Sequence, residues 1–166
     1  MIYQAYLFDW GNTLMKVYPF FNGPMKLWPK VAAVPGALRT LEHLSAVAQC
    51  YLVTNAADSE EDDIREALGR VNLDKYINKI FCYRNVGSKK PGREFYSKVI
   101  SELGIDPGKM AMVGDSFGND ILGAVQNGIF GYWYNPFSGE SRSDKMYSTI
   151  HSLEELIRIT NQSSPG

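Results

Sequence analysis

Four short stretches hold the residues best able to do chemistry. Asp9 follows the apolar run Tyr6-Leu7-Phe8 and precedes Trp10-Gly11-Asn12-Thr13. Thr54-Asn55 follows Leu52-Val53, Lys90 stands before Pro91, and Gly114-Asp115-Ser116 follows Met110 to Val113, with Asn119-Asp120 close behind. Carboxylates can act as nucleophiles, carry protons or ligate hard cations. A lysine supplies fixed positive charge. Each residue alone also has a plainer reading. An aspartate after a strand is commonly a turn or cap residue, and Asp115, Ser116 and Thr54 could all be caps. Lys89, beside Lys90, reads as solvated. The run Glu60-Glu61-Asp62-Asp63 looks like a metal cluster but reads better as acid complementing a helix N-terminus. His43, His151, Cys50 and Cys82 lie off these motifs and read as structural, the cysteines as buried strand residues.

Positioning these residues falls to alternating strands and helices. Short apolar runs predict strands ending at Phe8, over Cys50 to Val53, Ile80 to Tyr83, Met110 to Val113 and Ile129 to Tyr134. Apolar stripes at helical spacing predict helices over Ala37 to Ala48, Ser59 to Val71, Arg93 to Leu103, Asn119 to Gln126 and Ser152 to Ile159, the last with Ser152 and Glu155 spaced as a capping box. This alternation predicts a three-layer α/β/α, Rossmann-like fold around a mostly parallel five-stranded sheet. Ligands of such sheets sit beyond the carboxyl ends of the strands, and Asp9, Thr54 and Asp115 all stand there. The expected organisation is one domain over residues 1–160 and a frayed polar tail at 161–166. Met15 to Val34 breaks the rhythm. With Tyr18, Phe20, Phe21, Trp28 and three prolines it is too proline-rich for a helix and too apolar for a plain loop. It is expected to form a compact flap, a hairpin being one form, near the active rim or as part of the core.

The four stretches, in this order and each after its own strand, resemble the haloacid dehalogenase superfamily of phosphohydrolases. The resemblance runs from about Tyr3 to the final helix, and the ordered set carries it rather than any one piece. It implies that Asp9 is the nucleophile, forming an aspartyl-phosphate. It implies Mg2+ held by the Asp9 carboxylate, the Gly11 carbonyl and the Asp115 carboxylate, with Asp120 supporting from behind or through water. Thr54 and the amide of Asn55 would bind phosphate oxygens. Lys90, the lysine beside proline, would set positive charge against phosphate and nucleophile.

One position departs from the family. A second aspartate usually stands two residues after the nucleophile, where it protonates the leaving oxygen and later activates water; here that position is Gly11. General acid–base help typically contributes about 10²- to 10⁴-fold in rate. The resemblance therefore implies a phosphohydrolase in which another group supplies the proton, or the substrate carries a good leaving group, or turnover of alkyl phosphates is slow or absent. The alternative is a binding or regulatory protein that kept the fold and lost turnover. The gaps between Asp9 and Thr54, and between Thr54 and Lys90, leave no room for an inserted cap domain. Capless members tend to take large substrates or to close their sites by oligomerisation, to which the aromatic flap could contribute. A dehalogenase without metal is disfavoured by Asp115, Asp120 and the missing cap. A receiver-type signalling domain is disfavoured by Asp9 lying on the first strand.

Composition narrows the partners. Among 166 residues, 17 basic against 18 acidic side chains leave no basic face for duplex nucleic acid. No stretch reaches the apolar length of a membrane span. Two cysteines are too few for a disulfide framework and point to a reducing compartment. The expectation is a soluble, cytoplasmic protein that acts on a phosphorylated small molecule or macromolecule, with no membrane partner.

Overall fold

A computed structural model describes residues 2–163. Strands β1 (Ala5–Phe8), β2 (Gln49–Val53), β3 (Lys79–Phe81), β4 (Met110–Gly114), β5 (Phe130–Tyr134) and β6 (Tyr147–Ile150) form one sheet. Every neighbouring pair is parallel, in the order β3-β2-β1-β4-β5-β6. The sheet thus has six strands, not five. The sixth, Tyr-Ser-Thr-Ile, buries only Ile150 and lies at an edge, so it carries no apolar run that would announce a strand.

The helices are α1 (Ala37–Ser45), α2 (Glu61–Gly69), α3 (Tyr83–Val86), α4 (Arg93–Leu103), α5 (Gly123–Val125) and α6 (Glu155–Ser163). They cover both faces of the sheet, because buried parallel strands carry apolar side chains on each side. On one face Tyr6, Phe8, Leu52 and Val113 pack with Leu41 and Leu44 of α1, Ile64 and Leu68 of α2, and Leu156 of α6. On the other, Leu7, Val53 and Met112 meet Phe95, Tyr96 and Val99 of α4. The helix expected over Arg93 to Leu103 has those bounds, and left-handed Gly104 ends it. The third strand stops at Phe81, and α3 begins two residues later with Cys82 as its N-cap rather than a strand residue. α6 extends through residues 161–163, where a frayed tail was expected; residues 164–166 lie outside the described residues. None of the helices among the described residues is long and apolar enough to cross a membrane.

The segment 15–34 is closed at its base. Met15 bridges Ala33 in antiparallel fashion, Lys16 N–H donates to Ala32 at 2.9 Å and Val34 N–H donates to Leu14 at 2.8 Å. It pairs like a hairpin at its ends but holds only a 3-10 turn, Met25–Leu27, between them. Met15 and Met25 are buried in the core, and Trp10 Nε1 donates to Met15 Sδ at 3.2 Å. Tyr18, Phe20, Phe21 and Trp28 stack among themselves, with Phe20 left exposed. The segment is therefore part core and part surface. Among the described residues, neither the β1–β2 nor the β2–β3 connection contains a further domain.

Candidate active site

Strand order reverses between β1 and β4: the chain runs outward through β2 and β3, then returns to β1's other side. Such a reversal opens a crevice at the carboxyl edge of the sheet. Asp9 leaves β1 there, its N–H donating to Val113 O of β4 at 2.9 Å. Asp115 leaves β4 beside it. Next comes a wide, π-type turn, Phe117–Leu122, where a regular helix was expected from Asn119. The Ser116 hydroxyl caps it by accepting from Asn119 N–H. The turn brings Asp120 back under β4, so close that a Cβ at Gly114 would overlap the Asp120 carboxylate.

Ligand oxygens of Asp9, Asp115 and Asp120 all lie within 4.8 Å of one another. Lys90 is the cation among them. Its Nζ donates to Asp9 Oδ1 at 2.9 Å, to Asp120 Oδ1 at 2.7 Å and to Val53 O at 2.9 Å. The side chains of Lys90 and Asp120 are only 2% and 1% exposed, against 14% for Asp9. Asp9 is thus the end of this pair network that faces outward. Thr13, fully buried, stands within 3.3 Å of both Asp9 Oδ2 and Asp115 Oδ1, and its hydroxyl donates to this carboxylate pair. The Asp120 Oδ2 accepts from Ser116 N–H at 3.1 Å.

Charge in this cluster is unbalanced. Three carboxylates face one ammonium, which leaves two negative charges uncompensated when all are ionised. Burial, and then the charge of Asp9, push Asp115 up to about 7. The same two causes push Asp120 up to about 6, against the pull of Lys90. Burial pulls Lys90 down, but Asp9 and Asp120 outweigh it and hold its pKa above the usual lysine value. A compact, anion-rich set of oxygens with a deficit of two positive charges suits a hard divalent cation such as Mg2+.

The remaining motif residues play other parts. Thr54, almost fully buried, accepts Ala56 N–H on its hydroxyl at 3.1 Å. The Asn55 side chain accepts from Lys90 N–H at 2.7 Å and donates to Lys90 O at 3.0 Å. It grips the backbone of the buried lysine, a role the sequence did not show. Thr13 lies inside the quoted motif, and its position one helical turn after Asp9 was the available signal. Trp133 Nε1 donates to Asp115 O at 3.1 Å, and Tyr96 Oη donates to Asn119 O at 2.7 Å, so β5 and α4 steady the loop that carries Asp115 and Asp120. Lys89 is exposed, its Nζ 5.4 Å from the Tyr83 ring. The acidic run forms a capping box, Glu60 N–H donating to Asp63 at 2.9 Å, with Lys26 pairing Asp63 at 2.6 Å.

At Gly11 the backbone is not left-handed, yet a Cβ there would lie 2.8 Å from Val17 Cγ2. Val17 therefore crowds the first carbon of any side chain at this position, and must shift to admit one. Asn12 secures this arrangement by accepting Val17 N–H at 3.1 Å.

A Rossmann-like sheet with an aspartate at the end of its first strand, paired with a buried lysine and two further aspartates, defines a class of enzymes built around that aspartate. The pattern of the haloacid dehalogenase-like hydrolases matches residues 7–133, and the chain belongs to that family. It is 26% identical over 129 residues to the pyrimidine 5′-nucleotidase YjjG of Escherichia coli, covering 75% of this chain and 56% of that protein. It is 33% identical over 133 residues to a phosphoglycolate phosphatase of Salmonella typhi, covering 76% and 49%. The chain thus spans about half the length of these relatives. The magnesium-bound structure of the HAD-hydrolase YfnB from Bacillus subtilis superposes with a TM-score of 0.78 at 19% identity, covering 97% of this chain and all of that one.

Proposed function

We propose that this chain is a magnesium-dependent phosphohydrolase acting on a phosphorylated small molecule through an aspartyl-phosphate. The observation that carries this reading is the Asp9 carboxylate, oriented by Lys90 and Thr13 beside Asp115 and Asp120 at the reversal of the sheet. Asp9 and Asp115, with the Gly11 carbonyl and Asp120 behind them, would hold Mg2+. When bound, Mg2+ would neutralise charge on the phosphate and lower the cost of bringing two anions together.

The chain's own residues do the rest. An Asp9 oxygen forms a bond to phosphorus while the bond to the leaving oxygen breaks, and that oxygen keeps the electron pair. Lys90 is fixed in place and needs no rearrangement as charge shifts from Asp9 to the phosphate. Thr54 and the Asn55 amide hold phosphate oxygens. Water then attacks phosphorus, releases its proton to solvent and restores the Asp9 carboxylate. The named activities of the relatives, a nucleotidase and a phosphatase, support phosphate esters as the substrate class. Free, buried Cys50 and Cys82 suit a reducing compartment such as the cytoplasm.

Gly11 favours a second reading, a phosphate-binding protein with little turnover, because the position carries no side chain and Val17 crowds the space beside it. A screen of acyl, aryl and alkyl phosphates with and without Mg2+ separates the two. Turnover that requires Mg2+ and vanishes in Asp9→Asn, with the fold retained, supports the enzyme. Unchanged turnover in Asp9→Asn refutes the nucleophile.

A further inference from the structure

Beside the catalytic loop lies a cavity of about 460 Å³ that the mechanism above does not use. Its walls come from the carboxyl ends of three strands. Asn12 and Tyr18 enter from the segment after β1, Tyr134 and Phe137 from the end of β5, and His151 from the end of β6. It opens on the same edge of the sheet as Asp9. β5 pairs with β4 so that Trp133 is level with Gly114, which sets Tyr134 next to Asp115. Val17 lies between the cavity and Gly11: it lines the one and blocks a Cβ at the other. The cavity therefore adjoins Gly11 across Val17, on the same edge of the sheet as Asp9.

Its chemistry is selective. The lining is apolar and aromatic, and among the described residues no carboxylate contributes to it, while Lys16 does. The size falls in the range of small-ligand pockets, roughly 300–1,000 Å³. Flat rings gain from stacking on aromatic walls, and a lysine at the wall suits a group that leaves as an anion. A site with glycine at the donor position works best on a leaving oxygen that is stable as an anion, and an aryloxide is one. Gly11 and the aromatic cavity, which meet at Val17, thus select the same kind of substrate.

We infer that this cavity is the leaving-group subsite and that the substrates are aryl phosphate monoesters. The inference rests on the phosphohydrolase reading for the step itself. The Asp9 oxygen bonds to phosphorus, the phosphorus–oxygen bond to the ring breaks, and the electron pair leaves on the aryloxide.

The test separates binding from turnover. Calorimetry with Mg2+ present compares 2-naphthyl phosphonate with methyl phosphonate, neither of which can be hydrolysed. Wild type should bind the naphthyl compound at least tenfold more tightly. Phe137→Ala removes a ring that is 79% exposed and supports no core, so folding is not at stake. It should weaken the naphthyl compound by about two- to tenfold, the scale of one aromatic contact, and leave the methyl compound unchanged. Equal affinity for the two phosphonates in wild type, or an equal loss for both in Phe137→Ala, overturns the subsite. A naphthyl preference without turnover of 2-naphthyl phosphate overturns the aryl-ester substrate class, and only if acyl and alkyl phosphates also fail to turn over does the phosphohydrolase reading fall with it.

Discussion

Restoring an aspartate at Gly11 should be limited by Val17. In Gly11→Asp the new Cβ would stand 2.8 Å from Val17 Cγ2, whereas carbon pairs prefer about 3.5–4.0 Å. Roughly 1 Å of movement is needed, and overpacking of this kind typically costs about 1–3 kcal/mol. Val17 is 38% exposed, which places the cost near the lower figure. The backbone at Gly11 adds no strain, since its φ is not left-handed. Val17→Ala deletes the obstructing methyl. The double variant Gly11→Asp/Val17→Ala should therefore be more stable than the two single changes imply, by about 1 kcal/mol of coupling. A correctly placed acid contributes about 10²- to 10⁴-fold, and the benefit should fall on alkyl phosphates, whose leaving oxygens need the proton. The assay is kcat/KM across phosphates of graded leaving-group pKa, with denaturant melts of all four proteins. Wild type should show a steep dependence, and the double variant a shallow one with alkyl turnover raised about a hundredfold. If wild type already cleaves alkyl and aryl phosphates at similar chemical rates, another group donates the proton and the reasoning about Gly11 fails.

Mg2+ at a hundred times its dissociation constant should stabilise the protein by about 2.7 kcal/mol, or roughly 5–10 °C in melting temperature at this chain length. Asp115→Ala should abolish that rise; a rise that persists puts the metal elsewhere. Metal-free protein should lose stability as pH climbs from about 4 to about 7. Asp115 and Asp120 titrate near 7 and 6 when folded against 3.8 ordinarily, so across that window the folded state holds more protons than the unfolded. Melts at pH 5 and pH 8 without metal check the sign, and a higher melting point at pH 8 refutes it. Lys90→Met strands the buried Asp120 carboxylate and should cost about 3–5 kcal/mol, part of which Asp120→Asn should restore; a denaturant melt of Lys90→Met indistinguishable from wild type would show that the ion pairs do not support the fold.

What the sequence made legible follows from its periodicity. Strand ends could be read from apolar runs, so Asp9, Thr54 and Asp115 could be placed on one rim without coordinates. The proline beside Lys90 singles it out over Lys89 only through the family resemblance; in the fold Lys90 is the one buried against Asp9 and Asp120, while Lys89 is exposed. Contacts set by folding rather than by pattern were not readable. Asn55 and Lys90 meet across 35 residues, and nothing in either stretch announces the grip of one on the other. Val17 reaches Gly11 only because the segment after β1 doubles back on itself. β6 stayed hidden because an edge strand with one buried residue has no alternation to detect.

The order of the strands also divides the molecule by how readily it opens. β1 and β4 lie inside the sheet, each hydrogen-bonded on both sides, so releasing Asp9 or Asp115 means breaking two ladders at once. β6 is bonded on one side only, while the segment 15–34 is held at its base and again at its 3-10 turn, where Arg70 donates to the Met25, Lys26 and Trp28 carbonyls and Lys26 pairs with Asp63. Amide hydrogens should therefore exchange late along β1 and β4 and earlier along β6. The proposed chemistry thus sits at the centre of the sheet, and the proposed ring site reaches out from it to the sheet's margin at β6.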